Sequence, residues 1–186
     1  MSYQPRLRCS LMDFEQLSKE RQSCRSYDAD RPVEDEKIDK LVAAAKIAPS
    51  AMNAQPYDIW VVRSPVKVQA IKDAKSSFNG FTDNVNTFIV FTDAPYTNPK
   101  LEGLAEDMQI DYRTQDIGES IAYLTLQAKD LGLDTCILGG FRIDQVKKAL
   151  GTDAHIQIIV AVGYATEGYK VRNKVRKADS ENVHFI

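Results

Sequence analysis

The sequence of 186 residues has little of what metal, disulfide or nucleotide-loop chemistry requires. Its two histidines, His155 and His184, do not lie at a spacing typical of metal ligands. Its three cysteines are an odd number without paired spacing, which argues against a disulfide framework. The dinucleotide pattern G-x-G-x-x-G, the phosphate-loop pattern G-x-x-x-x-G-K-[ST] and the nucleophile pattern G-x-S-x-G are absent. Cys136 lies in an apolar run, where a thiol typically packs as a small hydrophobe.

Charge and hydropathy exclude further classes of protein. The formal net charge is −2 at pH 7, so the composition gives no general signal for nucleic acid. No apolar run approaches the roughly 18 residues of a membrane span, and no secretory signal is visible. We therefore predict a cytoplasmic enzyme without nucleic-acid or membrane partners. Residues 1–11 show no pattern and are predicted to be a flexible arm, and residues 12–186 are predicted to form a single domain.

The most informative segment is APSAMNAQPY at residues 48–57. Prolines at both ends prevent a helix or strand from running through it, so the pattern predicts a rigid loop between two buried elements. Ser50, Asn53 and Gln55 offer hydroxyl and amide groups that suit the edge of a planar heterocycle. Taken alone, the segment also fits an ordinary helix-to-strand turn.

A second segment, RQSCRSY at residues 21–27, carries alternating polar side chains. In extended backbone, Arg21, Ser23 and Arg25 face the same side. Two guanidiniums and a hydroxyl on one side suit a phosphate or a polyol chain. A solvated basic segment that follows a helix is the commoner alternative.

Two more segments complete the pattern. Residues 132–141 read as a strand that follows a long amphipathic helix and ends at Gly139 and Gly140. Glycine lets the backbone come close to a ligand, although a flexible turn is the simpler interpretation. Residues 170–177 include five Lys or Arg, for which a solvated tail is the alternative.

Together, and in this order, the four segments resemble the FMN-dependent nitroreductase family. The family pattern is similar to R-x-S-x-R-x-[FY], A-P-S-x-x-N-x-Q-P-[WY], G-L-x-x-x-x-x-G-G and a C-terminal K-x-R. The segment at residues 48–57 is the most specific and the K-x-R pair the least. The resemblance implies an α+β sandwich with a largely antiparallel sheet flanked by helices, whereas element alternation alone also allows a doubly wound parallel sheet. It further implies a homodimer in which each site uses both chains.

The resemblance also implies roles for individual residues. Arg25 is expected near N1 and O2 of the flavin, and a backbone N–H near Gly139 or Gly140 is expected to face N5. Lys174 and Arg176 are favoured as phosphate ligands, while Lys170 and Arg172 have the same spacing and stay open as an alternative. The full set of expected FMN-binding residues is Arg21, Gln22, Ser23, Arg25, Pro49, Ser50, Ala51, Asn53, Gln55, Leu138, Gly139, Gly140, Lys174 and Arg176.

The implied activity is that of an FMN-dependent NAD(P)H oxidoreductase. NADH or NADPH would donate hydride, and a small-molecule acceptor such as a nitroaromatic or a quinone would be reduced in a ping-pong cycle. No catalytic side chain and no metal are expected, because the flavin carries the chemistry. The alternative is a flavin-binding redox sensor or flavin store without nicotinamide turnover. Other chemistry on the same fold, such as dehalogenation or flavin cleavage, is weaker.

The expected elements follow from periodicity and capping signals. Strands are predicted at residues 57–62, 88–91, 133–138 and 156–162. Helices are predicted from Asp13 to near Arg21, from Glu34 to about residue 45, from Ser64 to about Ser77, over residues 117–131 with Gly132 just after the helix, and over residues 144–150. Residues 93–112 are predicted to be a loop with one helical piece.

Overall fold

The computed structural model describes residues 13–186, in which helices and strands alternate. The helices are α1 Phe14–Glu20, α2 Asp35–Ile47, α3 Pro65–Asp73, α4 Pro99–Met108, α5 Tyr112–Asp130, α6 Ile143–Leu150 and α7 Asp179–Asn182. The strands are β1 Tyr57–Val62, β2 Thr87–Asp93, β3 Asp134–Leu138 and β4 Ile156–Gly163. Short 3₁₀ segments cover Ala51–Asn53 and Ser77–Asn84. The predicted arm at residues 1–11 lies outside the described residues.

The four strands form one antiparallel sheet in the order β1-β2-β4-β3. β2 pairs with β1 on one side and with β4 on the other, and six of its seven residues are buried. Burial on both faces explains the continuous apolar run of β2. β3 lies at one edge and β1 at the other. The sheet confirms the predicted α+β fold with a largely antiparallel sheet. The alternative of a doubly wound parallel sheet is wrong.

Helices cover both faces of the sheet because β2 sends alternate apolar side chains to opposite sides. Phe88 and Val90 enter a core that α3 and α6 complete. Ile89 and Phe91 enter a second core that α2 and α5 complete. Helix α5 runs for 19 residues and buries Ile117, Ile121, Leu124 and Ala128 at helical spacing. Gly132 follows it with a φ of +74°, a conformation that glycine adopts without strain.

One predicted boundary is wrong, and the cause is a tertiary contact. Helix α3 ends at Asp73 instead of near Ser77. Beyond that point Lys75 bridges to Phe141, and the Ser76 backbone N–H donates to the Gly140 carbonyl at 3.0 Å. A contact with a segment about 65 residues later in the chain therefore replaces the last helical turn. The helical piece predicted within residues 93–112 is α4, which Asn98 caps.

Two absences hold for residues 13–186. No helix there has both the length and the apolar composition that crossing a bilayer requires. In the same residues, no three His, Cys, Asp or Glu side chains are grouped so that they could hold a metal ion.

Candidate functional site

The segment that follows α1 runs beside the edge strand β3. Ser23 forms a parallel bridge with Thr135, and the Cys24 backbone N–H donates to the Thr135 carbonyl at 2.8 Å. Cys24 is fully buried. Because alternate residues of an extended backbone face opposite sides, its neighbours Ser23 and Arg25 face away from the core. The structure thus places Arg21, Ser23 and Arg25 along one wall of a pocket.

The C-terminal basic segment forms the opposite wall. The resulting pocket of about 250 Å³, called the basic pocket below, is lined by Arg21, Gln22, Ser23, Arg25, Arg172, Asn173, Lys174 and Arg176. Alternate residues of an extended segment share a side, which brings Arg172, Lys174 and Arg176 to the pocket together. Lys170 contributes its backbone carbonyl to Gln22. The basic pocket therefore combines Arg172 from one predicted K-x-R pair with Lys174 and Arg176 from the other.

Charge in the basic pocket is not neutralised. Its five cations are Arg21, Arg25, Arg172, Lys174 and Arg176, and in residues 13–186 none lies within 4.0 Å of a carboxylate. The sequence before residue 13 contains no Asp or Glu. Desolvation lowers the pKa of Lys174, and the nearby charges of Arg21 and Arg176 lower it further. Five unpaired cations in so small a volume indicate a site for an anion.

The cations differ in how far protein contacts occupy them. Arg172 donates to the Ser23 carbonyl, and Lys174 Nζ donates to the carbonyls of Ser18 and Lys19 at the end of α1. Arg25 Nη1 makes only a 3.4 Å contact with the Ser23 carbonyl. Arg176 donates to the carbonyl of its neighbour Val175. The Arg21 guanidinium makes no hydrogen bond within residues 13–186, so Arg21, Arg25 and Arg176 retain the most donors for a ligand.

The two buried thiols near this pocket are held neutral. Burial raises the pKa of Cys24 to about 11. Burial also raises the pKa of Cys136, although Arg25, a hydrogen bond with Ser23 and two further arginines oppose it. Because the thiolate is the reactive form, neither cysteine is suited to act as a nucleophile at neutral pH. Cys136 packs as the small core residue that the sequence predicts.

The paired glycines after β3 serve different purposes. The Gly140 carbonyl accepts hydrogen bonds from the Ser76 backbone N–H at 3.0 Å and from Asn79 Nδ2 at 2.8 Å. A Cβ at Gly140 would lie 2.6 Å from Ser76 Oγ, so a side chain there would force Ser76 to move. A Cβ at Gly139 would meet no atom within 4 Å, which leaves its backbone open to a ligand. Leu138 is buried in the core.

The loop at residues 48–57 is held in an unusual backbone conformation. Met52, Asn53 and Gln55 have φ values of +50°, +55° and +44°, which lie in the left-handed region that non-glycine residues rarely occupy. Ser50 Oγ accepts a hydrogen bond from the Gln55 backbone N–H at 3.2 Å. The Ala51 backbone N–H donates to Oδ1 of a buried α5 carboxyl at 3.0 Å. Such strain persists only where surrounding contacts enforce it, as is common at functional sites.

The loop and the basic pocket lie at opposite ends of the sheet. Ser23 pairs with Thr135 of β3, Thr135 pairs with Val162 of β4, and Val162 pairs with Thr87, the first residue of β2. Ser23 therefore lies at the level of the start of β2. The 48–57 loop leads directly into Tyr57, which pairs with Asp93, the last residue of β2. Six residues of strand at about 3.3 Å each separate these levels by roughly 20 Å. No loop side chain is among those lining the basic pocket.

Comparison with known proteins decides the family. The model of the nitroreductase family matches residues 18–164. A relative from Archaeoglobus fulgidus, named as an NADH dehydrogenase/NAD(P)H nitroreductase, is 31% identical over 150 residues that cover 77% of this chain and 80% of its own. The chain belongs to the nitroreductase family. The resemblance noted from its four motifs is thereby confirmed.

Further members of the nitroreductase family agree in extent and fold. An NADH dehydrogenase from Thermus thermophilus is 27% identical over 186 residues, covering 86% of this chain and 90% of its own. A protein from Exiguobacterium sibiricum, assigned as a nitroreductase and solved in complex with FMN, superposes with a TM-score of 0.80. It is 22% identical, and the match covers 94% of this chain and 98% of that one. The structural likeness therefore concerns the fold over almost the whole length.

Several residues that shape the candidate site were not predicted from sequence. Asp116 binds the Ala51 N–H, and Tyr169 Oη accepts a 3.0 Å hydrogen bond from the Arg25 backbone N–H. Ser76 and Asn79 hold Gly140. Only Asp116 has a visible signal, because it is a carboxyl on the apolar face of α5, one turn before Ser120.

A second concave surface of the protein lies between α1, α2 and α5. We call it the apolar groove; its volume is about 810 Å³, and its lining includes Phe14, Leu17, Ala43, Ile47, Tyr123 and Leu126. Phe14 is 72% exposed, Ile47 76% and Tyr123 45%. A contiguous exposed apolar surface of this kind is typical of contact sites for other molecules.

Proposed function

We propose that this protein is an FMN-dependent NAD(P)H oxidoreductase that reduces nitroaromatics, quinones or related small acceptors in a ping-pong cycle. Its family assignment confirms the predicted oxidoreductase class, the FMN cofactor and a nicotinamide donor. The observation that carries the proposal for this chain is the basic pocket, where five cations have no carboxylate partner within residues 13–186. One terminal phosphate is the anion that such a pocket fits.

The residues present fit FMN along the edge of β3. The basic pocket opens beside Thr135 at one end of this strand, and the unhindered backbone of Gly139 follows its other end. Four residues of strand place these two points about 13 Å apart. A phosphate held at one end would leave the flavin ring toward the other. The missing G-x-G-x-x-G fingerprint agrees with a mononucleotide rather than a dinucleotide.

When bound, FMN supplies a ring that accepts hydride from NADH or NADPH and passes electrons to an acceptor. The protein contributes binding and electrostatics. Arg21, Ser23 and Arg176 bind the phosphate and ribityl oxygens, and Arg25 supplies fixed positive charge where negative charge develops on the ring. The backbone at Gly139 offers a hydrogen bond without steric hindrance. No proton transfer by a side chain is required.

We also propose that the functional unit is a homodimer with two shared sites. The 48–57 loop leads into β1 at one edge of the sheet, whereas the proposed flavin path follows β3 at the other edge, three strand spacings or about 14 Å away. Its polar groups therefore require a second chain to meet the flavin. The apolar groove supplies the surface for such a contact, since a two-fold dimer places the same patch on both subunits. A cytoplasmic location stays a prediction.

The test begins with the flavin itself. Flavin released by heat from the purified protein should be FMN, and the yellow colour should bleach when NADH or NADPH is added without oxygen. Recovery of FAD, or no flavin after incubation with FMN, contradicts the cofactor assignment for this chain. Bound FMN that neither nicotinamide reduces favours the sensor or store instead. Product and initial-rate analysis with nitroaromatics and quinones then tests the acceptor class and the parallel-line pattern of a ping-pong cycle.

A further inference from the structure

The structure assigns to Gln22 a positioning role: its side chain clamps the C-terminal basic segment onto residues 21–25 and so forms the phosphate end of the site. Gln22 then acts through other residues rather than as a ligand of the flavin. This inference rests on the proposed function, because it concerns how that function's basic pocket is assembled.

The Gln22 amide is committed to the backbone of the opposite wall. Nε2 donates to the Lys170 carbonyl at 3.1 Å, and Oε1 accepts from the Arg172 backbone N–H at 3.0 Å. Arg172 Nε also approaches Oε1, at 3.4 Å. Gln22 is 7% exposed, and these contacts to the solvent-exposed basic segment are partly buried. One amide thus fixes two backbone positions, which sets the register of the segment that follows.

Few other contacts hold this segment down. Val171 is 48% exposed and Val175 85% exposed, so burial of apolar surface contributes little. Lys174 binds the terminal carbonyls of α1, and Arg172 binds the Ser23 carbonyl. These two contacts are solvent-exposed and use the same cations that line the basic pocket. The buried clamp is therefore the main fixed point of the segment.

A neutral clamp suits this position for an electrostatic reason. The cations on the two walls repel each other: desolvation lowers the pKa of Lys174, and the charge of Arg21 on the opposite wall lowers it further. A carboxylate between the walls would relieve the repulsion, but it would also cancel positive charge that an anion needs. An amide joins the walls by hydrogen bonds and leaves the charge of the pocket intact.

The test compares FMN with riboflavin, which lacks the phosphate. Gln22→Met keeps the side-chain length but cannot make the polar contacts. In fluorescence titrations of the apoprotein, we expect its Kd for FMN to rise about tenfold or more, since two partly buried hydrogen bonds are lost. Its Kd for riboflavin should stay within about twofold of wild type. Gln22→Glu should likewise weaken FMN and spare riboflavin, because it retains the acceptor for Arg172 but adds a negative charge.

Hydrogen exchange measures the clamp without any flavin. In the apoprotein, the Arg172 amide, which donates to Gln22 Oε1, should lose protection in Gln22→Met and keep it in Gln22→Glu. Thr125→Val is the matched control, because it removes the hydroxyl of another buried side chain, which donates only to a backbone carbonyl. It should change neither measurement.

The outcomes separate the inference from the proposed function. Unchanged exchange of the Arg172 amide in a folded Gln22→Met protein overturns the clamp, as does equal weakening of FMN and riboflavin. If wild type itself does not prefer FMN to riboflavin, the phosphate role of the basic pocket fails. The exchange data then still decide whether Gln22 fixes the segment.

Discussion

The Ala51 backbone N–H donates a 3.0 Å hydrogen bond to Oδ1 of Asp116, which joins the strained 48–57 loop to α5. Asp116 is only 3% exposed, and its other oxygen has no partner within residues 13–186. Burial raises the pKa of this carboxyl, and the charges of Glu119 and Asp111 raise it further, against the Ala51 hydrogen bond. The loop is thus anchored by a carboxyl that is itself costly to keep ionised.

We predict opposite effects for two substitutions of Asp116. Asp116→Asn keeps the acceptor for Ala51 and removes the buried charge, so at pH 7 the protein should be as stable as wild type or more stable. Asp116→Leu leaves the Ala51 N–H unsatisfied and should cost about 1–3 kcal/mol. Urea denaturation of the apoproteins measures both changes. Equal destabilisation by the two substitutions would show that the charge, not the hydrogen-bond acceptor, is what the loop needs.

The same residue predicts a pH dependence with a definite sign. The folded state keeps the Asp116 proton at pH values where the unfolded chain, with an ordinary pKa near 3.8, has lost it. Unfolding then releases a proton, so the contribution of this group to stability falls as pH rises from 3.8 through the raised pKa. The stability difference between Asp116→Asn and wild type should shrink as pH is lowered through that range. A constant difference from pH 7 downward contradicts a raised pKa.

Gly139 and Gly140 should respond differently to the same substitution. Gly140→Ala puts a Cβ 2.6 Å from Ser76 Oγ and should lower the free energy of unfolding by about 1–3 kcal/mol. Adding Ser76→Ala should restore much of that loss. Gly139→Ala meets no atom within 4 Å, so it should leave stability within about 0.5 kcal/mol and weaken FMN binding. Undiminished stability in Gly140→Ala contradicts the packing role, and undiminished FMN affinity in Gly139→Ala contradicts the ligand role.

Local signals were sufficient to predict most of the fold. Strand β1 matches its predicted range of 57–62 because Pro56 and the Ser64-Pro65 pair bracket an apolar run. Helix α5 shows a clean helical period and ends before Gly132. The end of α3 could not be predicted in this way, because Gly140 determines it from a distant part of the chain.

The candidate site was predictable as a set of segments but not as an arrangement. The motifs identify residue types, whereas the contacts that order them join residues far apart in sequence. Gln22 and Arg172 are 150 residues apart, and no periodicity in the sequence indicates that they are in contact. The equal spacing of Lys170/Arg172 and Lys174/Arg176 left their register open. Only the tertiary path of the segment shows that Arg172, Lys174 and Arg176 line one pocket.

The charge of Arg25 should tune the reduction potential of the flavin. Arg25→Ala removes a cation that stabilises the reduced, negatively charged ring, so the potential should fall by about 30 mV or more, or about 1.4 kcal/mol for two electrons. Arg25→Lys should retain part of the effect, because it keeps the charge without the planar fork. Lys148→Ala, an equal charge change on α6, is the control and should leave the potential unchanged. An unchanged potential in Arg25→Ala that still binds FMN removes Arg25 from this role.

Sharing of the site between two chains predicts complementation. Asn53 lies on the 48–57 loop with a φ of +55°, so Asn53→Gly removes its amide without adding backbone strain. The double variant Arg21→Ala, Arg25→Ala removes two cations from the basic pocket at the other end of the sheet. Each variant alone should bind FMN poorly. In a mixed dimer with shared sites, two-fold symmetry gives one pocket that carries every substitution and one that carries none.

Equimolar mixing of these two variants should therefore restore FMN binding to at most one site in each mixed dimer. Two distinguishable affinity tags allow the mixed dimers to be isolated, and their flavin content is read from absorbance. Self-mixing of each tagged variant is the control, because it creates no intact pocket and should restore nothing. The restored sites should also hold the two chains together, since a ligand that binds only the dimer stabilises it by mass action. If isolated mixed dimers bind no more FMN than either parent, each site lies within one chain. The loop and the basic pocket would then have to contact FMN within the same chain, across the roughly 20 Å that separates them along the sheet.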